Sequence, residues 1–351
     1  MINFTGVADT PGWFQETGPE NDVVISSRVR LSRNIDGHHF PGVMKSDEEE
    51  IVQDQIVGAA TALGEGYESL VVGSLTPTER RLLLERNLIS QDFSLQPHKT
   101  VILRDDERMA AMVNEIDHLR LASFRGGMNL SSALEDIDAV DSILETKLDY
   151  AASLNMGYLN TEVSNAGTGL RASIMPHLPS LVATSLVEKT FKAVVQLGLS
   201  VKGFFGDEEH SLGSMYQVSN QFGLGMTENE IIEKLESVGT QIVNYERKAR
   251  EEMVGRQRME IEDRVYRAFG LLKYCKSISV REAIEHLSSL RLGVALGWIA
   301  LPLARITALL FLTQKSHMQQ LIDSQETGAD TKLIDYTRAL VIKEVLGNVD
   351  L

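Results

Sequence analysis

Ser26-Ser27-Arg28-Val29-Arg30-Leu31-Ser32-Arg33 carries the pattern from which the rest of the chain can be read. The β-branched and apolar residues from Val23 to Leu31 predict a strand, and alternate side chains on a strand share a face. Arg28 and Arg30 therefore point together, while Val29 and Leu31 point into a core. Two guanidiniums on one face repel each other. They are tolerable where a shared polyanion or a set of carboxylates neutralises them, and the planar fork of arginine fits phosphate oxygens. A solvated edge-strand face is the other reading of the same pattern.

Two later segments share this chemistry. Asn114-Glu115-Ile116-Asp117-His118-Leu119-Arg120-Leu121 is a dense polar cluster that ends in alternation, with His118 and Arg120 on the face opposite Leu119 and Leu121. Its plain reading is a salt-bridged turn. In Asn165-Ala166-Gly167-Thr168-Gly169-Leu170-Arg171-Ala172-Ser173 the glycines allow close backbone approach, and Arg171 follows at once, as in many anion-binding turns. The segment lacks the Lys-Ser/Thr ending of a P-loop and the spacing of a dinucleotide fingerprint.

The surrounding chain sets the bounds. Its 351 residues leave room for two domains, and 43% hydrophobic with 24% charged residues excludes disorder and collagen-like architecture. A net charge of −15 argues against non-specific nucleic-acid binding. The single cysteine, Cys275, excludes an internal disulfide framework and a thiolate zinc site, and the histidines show no metal spacing. Residues 1–19 lack the basic and apolar regions of a signal peptide, so a reducing, cytoplasmic setting is expected. The apolar run Gly293–Leu312 contains Pro302 and Arg305, which favours two buried helical segments over a membrane span.

Strands and helices alternate in the first half, with Thr100–Leu103 a second strand and Ile137, Val140, Leu144, Leu148 and Ala151 an amphipathic helix. Ile231, Leu235, Val238, Ile242, Tyr245 and Ala249 form a helical seam behind a capping box, Thr227 with Glu230. Packing on a neighbouring sheet or helix explains the seam better than a coiled coil. Residues 254–351 are almost wholly helical and carry a net +2 against −17 for residues 1–253, which predicts a boundary near 253.

Taken together, the three arginine-bearing segments resemble the ATP:guanidino phosphotransferases, and within them the bacterial protein arginine kinases. The resemblance takes in Glu85-Arg86-Asn87-Leu88-Ile89-Ser90, the Gly203–Gly206 turn, Gln217–Gln221, Asp263–Gly270 and Arg291–Val294. It implies an α+β fold: an antiparallel sheet flanked by helices over residues 1–253, then an all-α domain over 254–351 for dimerisation and regulation. It implies ATP, with Mg²⁺ bound through the phosphates, and protein substrates that bear arginine. Arg28, Arg30, Arg120 and Arg171 would clamp the phosphates, with Ser27, Asn87, Ala172, Ser173 and Lys202 in the same nucleotide site. A homodimer is expected, with the apolar Leu290–Leu312 stretch as its buried surface, and a regulatory protein partner fits the same family.

Departures from the family pattern fall on the chemistry. Ile116 stands where the family has the glutamate that serves as base, and Glu162 replaces a reactive cysteine. Asn87 replaces a nucleotide-contacting histidine, and Lys202 the arginine that opens an Arg-Gly-x-Tyr-Gly-Glu segment. At the end of that segment we read His210, with Glu209 adjacent. Glu115, Glu162 and Glu209 are therefore the candidate catalytic carboxylates. In the C-terminal region Asp335 and Arg338 persist from a phosphoarginine-binding Arg-Asp-x-x-Arg-Ala motif whose first arginine is here Ile334. Two functions follow: a kinase of protein arginine with a modified pocket, or a degenerate relative that holds nucleotide and acts as a scaffold.

Overall fold

Residues 4–207, 210–322 and 330–347 are described by the computed structural model. Its strands are β1 (Val24–Arg33), β2 (Tyr67–Val71), β3 (Thr100–Arg104), β4 (Met109–Val113), β5 (Leu119–Gly126), β6 (Ala152–Ser153), β7 (Gly157–Tyr158), β8 (Leu170–Pro176), β9 (Leu199–Gly203), β10 (Gly206–Asp207), β11 (His210–Ser211) and β12 (Tyr216–Asn220). Eight of them form one antiparallel sheet in the order β2-β3-β4-β5-β1-β8-β12-β9. The strand with the paired arginines lies inside the sheet, between β5 and β8, so the edge-strand alternative is set aside.

The helices are α1 (Ser46–Ala60), α2 (Pro77–Glu85), α3 (Gln91–Ser94), α4 (Leu130–Glu145), α5 (Pro179–Ala183), α6 (Val187–Gln196), α7 (Glu228–Tyr274), α8 (Val280–Ala295), α9 (Leu303–Leu312), α10 (Lys315–Leu321) and α11 (Thr331–Leu346). The sheet separates two cores. On one face Val29, Leu31, Leu121, Ala172 and Val218 pack with Val52 and Ile56 of α1, Ile137 and Val140 of α4, and the first half of α7. On the other, Ala110, Met112, Ala122 and Phe124 join Trp13, Phe14 and the helices of the C-terminal region.

The Thr227–Glu230 capping box starts α7 as expected, and the seam Ile231–Ala249 packs against the sheet. Near its end the buried face rotates: Tyr245 is half exposed, while the Glu246 carboxylate is buried and accepts the Ser180 and Leu181 backbone N–H groups. Helix α4 stops at Glu145, so Leu148 and Ala151 belong to the buried segment after it. Helix α7 runs 47 residues, straight through residue 253, and breaks its helical backbone only at Gln257 (φ −139°, ψ 41°).

The Leu290–Leu312 stretch requires a correction. It folds as the end of α8, a turn around Pro302 and α9, and no helix among the described residues is long and apolar enough to cross a membrane. Leu290, Ile306, Leu309, Leu310, Phe311 and Leu312 are fully buried within the single chain. Phe311 meets Trp13 edge-on, 4.7 Å between ring centroids, and stacks with Phe14 at 6.4 Å. Those six side chains are spent on the chain's own core.

Candidate active site

Strand register brings the arginines together. Arg30 lies opposite Arg171 of β8 and Ala122 of β5, Arg28 opposite Ser173 and Phe124, and Ser32 opposite Arg120. Residues directly paired across an antiparallel sheet share a face, so Arg28, Arg30, Arg120 and Arg171 all rise from the same side. Gly169 sets the entry to β8. Its φ is +69°, and a Cβ there would meet the Ser32 carbonyl oxygen at 2.5 Å, so glycine alone lets the turn close against β1.

The electrostatics of this face are one-sided. Burial, reinforced by Arg120 and Arg171, pushes the Arg28 guanidinium down to about 10. Burial and then Arg28, Arg120 and Arg171 push Arg30 well below its ordinary value, with Glu115 opposing. Burial and Arg120 lower Arg171, against the pull of Glu162. The Nε atoms of Arg30 and Arg171 are buried with no hydrogen-bond partner among the described residues. Buried cations left without acceptors are costly, and an anion with several oxygens would satisfy them.

Glu115 is the carboxylate inside this group. It is ion-paired to Arg120 and accepts the Ser90 hydroxyl at 2.6 Å. Burial pushes its carboxyl up, but Arg120, the Ser90 hydroxyl and the Ile116 N–H outweigh that and hold it below the usual value. A carboxylate held in this way orients Arg120 and is a weak base. Ile116 is half-buried on the bend between β4 and β5. Glu162 is exposed at the start of a short turn, where it accepts the Asn165 side-chain amide at 3.3 Å. Glu209 lies outside the described residues.

A cleft of about 410 Å³ opens over the arginine face, lined by Arg28, Arg30, Arg120, Asn87, Lys202 and Gln217 among others. A small recess of about 20 Å³ beside it is walled by Trp13, Phe124, Phe204, Ser173 and Met175. Asn87, Ser173 and Lys202 line these two openings. The side chains of Ser27 and Ala172 point to the opposite face. The Ser27 hydroxyl is fully buried, donates to the Gly127 carbonyl at 2.8 Å and accepts the Asn129 N–H at 2.9 Å. Ala172 faces the core against Val29.

The polar bend after Asn114 holds the walls. Asp117 is fully buried and accepts the Asn34 amide at 2.8 Å and the Thr161 N–H at 2.7 Å. His118 accepts the Ile35 N–H on Nδ1 and faces the His39 carbonyl through Nε2, 2.9 Å in each case, which fixes the neutral Nε2–H tautomer. Burial keeps its pKa below the ordinary value. Sequence reading saw this cluster as a turn and missed that it ties β1 to the loop bearing Glu162. It also passed over Asp207. Counted without a gap, Lys202-Gly203-Phe204-Phe205-Gly206-Asp207 fills the Arg-Gly-x-Tyr-Gly-Glu segment, and its last position falls on Asp207, paired with His210 in the β10–β11 hairpin.

Two further groups of polar residues lie elsewhere. Arg338 is buried, its Nε donates to the Thr313 carbonyl and its Nη1 to the Ile278 carbonyl and Asp335, so the pair Asp335–Arg338 forms an internal tie. A larger cleft of about 700 Å³ between α7 and α8 has Arg267 and Arg281 on its rim. Both are highly exposed and already paired with Asp263 and Glu285 of their own helices. It lacks the buried, unpartnered guanidiniums of the β1 face.

Comparison with known proteins agrees with this geometry. Residues 48–249 match the ATP:guanido phosphotransferase C-terminal catalytic domain, and residues 258–350 match the C-terminal domain of the protein-arginine kinase McsB. The chain is 41% identical over 346 residues to a protein-arginine kinase of Desulforamulus reducens, covering 96% of each. It is 39% identical to one of Caldanaerobacter subterraneus subsp. tengcongensis, covering 87% of this chain and 92% of that one. Among solved structures, the fold is shared with the duplicated taurocyamine kinase of Schistosoma mansoni (TM-score 0.60, 21% identity, 71% of this chain and 36% of that chain). A lombricine kinase aligns with a TM-score of 0.58 at 22% identity, over 70% of this chain and 72% of that one. With its matched catalytic and C-terminal regions and relatives along nearly its whole length, this chain belongs to the protein-arginine kinases of the ATP:guanido phosphotransferase superfamily.

Proposed function

We infer that this chain transfers the γ-phosphoryl group of ATP to the guanidinium of arginine residues in proteins. The observation that carries the reading is the face of four arginines on which the Nε atoms of Arg30 and Arg171 are buried without a partner among the described residues. A triphosphate supplies the acceptor oxygens that Arg28, Arg30 and Arg171 lack, and Glu115 holds Arg120 in line with them. Mg²⁺, bound through phosphate oxygens, would add charge neutralisation at the same place. The guanidiniums stabilise the charge that grows on the leaving ADP oxygen, and such preorganised stabilisation supplies most of the catalysis in phosphoryl transfer.

The acceptor side is rebuilt. As the acceptor nitrogen bonds phosphorus and the bond to the ADP oxygen breaks, a proton must leave the guanidinium. Ile116 cannot take it. Glu162, whose charge acts on Arg171, is the carboxylate we assign to hold the acceptor and accept the proton, and Asp207 is a second candidate from its place at the end of the Lys202–Asp207 segment. Glu209 stands two residues beyond Asp207 in sequence and is the third candidate. Nothing observed favours the scaffold alternative. The division at residue 253 is kept as a division of roles, with the helical region supporting the catalytic one in a cytoplasmic protein open to regulatory partners. Two chains would pair through Leu333, Tyr336 and Leu340, an exposed apolar stripe at helical spacing on α11.

The test is direct: purified protein, Mg·ATP and an arginine-rich acceptor, read out as acid-labile phosphate. Transfer that disappears in Arg171→Ala supports the reading. Absence of transfer together with absence of nucleotide binding overturns it.

A further inference from the structure

One wall of the nucleotide cleft is the segment Leu84–Ser90, which ends α2 and turns back toward the arginines. Asn87 is its pivot, with φ +63°, the left-handed residue that terminates the helix. An asparagine tolerates that conformation less readily than glycine, so the turn needs anchoring. The anchors come from the far end of the sequence. His317, at the start of α10, is fully buried and lies 2.8 Å from Glu85 Oε2 through Nδ1. Its Nε2 accepts the Nε–H of Arg86 at 3.2 Å. An acceptor at Nε2 leaves the proton on Nδ1, where it is donated to Glu85, so the neutral ring serves both neighbours at once.

The rest of the knot completes the anchor. Glu85 also accepts the Ser316 backbone N–H at 2.9 and 3.1 Å, and Arg86 is ion-paired to buried Glu107. Gln314, one turn earlier, lines the cleft itself. The residues on either side of Asn87 are therefore fixed on one side by the C-terminal region and on the other by the sheet core. His317 is outside the lining of the cleft, whereas Glu85 is part of its wall.

We propose that His317 is a positioning residue for nucleotide binding: through Glu85 and Arg86 it holds Asn87 and the cleft wall in place, so that the helical region sets nucleotide affinity. This rests on the nucleotide reading of the arginine cleft. Its effect is on affinity for nucleotide, and the phosphoryl-transfer step is left alone.

Calorimetric titration with Mg·ADP, steady-state kinetics and apo melting temperature test it on the full chain. His317→Leu fills the space without polar groups, and His317→Asn retains a donor near the Nδ1 position. The expected result for His317→Leu is a Kd for Mg·ADP and a KM for ATP raised about five- to tenfold, the size of effect usual for residues that couple regions without touching ligand. The acceptor KM and kcat should stay within about twofold, and His317→Asn should recover most of the loss. If His317→Leu does not fold, Glu85→Gln decides, with an expected rise of about threefold in the same two constants. Wild-type nucleotide affinity in folded His317→Leu, or in Glu85→Gln where His317→Leu does not fold, or a fall in kcat with the ATP KM unchanged, overturns the proposal. Failure of the wild type to bind Mg·ADP would instead overturn the nucleotide reading on which it rests.

Discussion

Replacing Arg30 by methionine should make the empty protein more stable and the nucleotide-bound protein less so. Arg28 stands two residues away on the same strand, a separation of about 6.6 Å at the usual rise per residue, and Arg171 is directly opposite. At an effective dielectric of 20, two unit charges at about 6.6 Å repel by about 2.5 kcal/mol. The side chains splay and Glu115 offsets part of this, so a net gain of about 2 kcal/mol on removal is reasonable, within the range seen when buried charges give way to apolar groups. For 351 residues, an unfolding entropy of about 2.1 cal/mol/K per residue turns that gain into a rise of about 3 °C in melting temperature. In the wild type, Mg·ADP at a hundred times its Kd adds about 2.7 kcal/mol, or about 4 °C, and the variant should forfeit it. Differential scanning calorimetry with and without Mg·ADP reads both effects in one series. An Arg30→Met protein that melts lower than wild type without nucleotide would refute the idea that this face is strained until an anion arrives.

Three other outcomes are expected. Burial lowers the pKa of His118, His177 and His317, so the unfolded chain takes up protons that the folded one refuses; stability is full above the ordinary histidine value and falls as pH drops below it. Each such histidine costs about 1.4 kcal/mol per pH unit in that range, so urea midpoints at pH 7.5 and 5.5 should differ clearly, and equal midpoints would contradict the burial argument. Ile116→Glu should raise phosphotransfer to an arginine-rich acceptor by about tenfold to a hundredfold, the lower range of a general-base contribution, with the ATP KM unchanged; a fall in rate would mean that the rebuilt pocket depends on the apolar side chain. Leu333→Glu with Leu340→Glu should shift light scattering toward the monomer mass without lowering the melting temperature, and an unchanged mass would place any pairing elsewhere.

Much of the fold was legible because alternation on β1 is a local signal. Val29 and Leu31 could only be core if Arg28 and Arg30 were not, and the register with β5 and β8 then gathered Arg120 and Arg171. The Thr227–Glu230 cap was legible for the same reason, since both partners lie within one turn. What escaped depended on contacts distant in sequence. Ser27 and Ala172 each lie one residue out of step with the arginine of their motif, and strand parity turns their side chains to the other face. The apolar Leu290–Leu312 run looked free because its partners, Trp13 and Phe14, come from the opposite end of the chain. Hydrophobicity says that a surface will be covered, not by what.

The two matched regions meet inside a helix, and this has a mechanical consequence. At about 1.5 Å per residue, the 47 residues of α7 form a beam about 70 Å long. Its first half is bolted to the sheet and its second half to α8. At Gly293 of α8 a Cβ would stand 2.2 Å from Val265 Cγ1, so those two helices are in backbone-close contact and cannot slide apart cheaply. The break at Gln257 therefore lies inside a structure held on both sides, because the helical region also packs on the second face of the sheet and is bonded to Glu85 and Arg86. A load applied to the helical region reaches the sheet through several contacts at once rather than by free swinging on a linker.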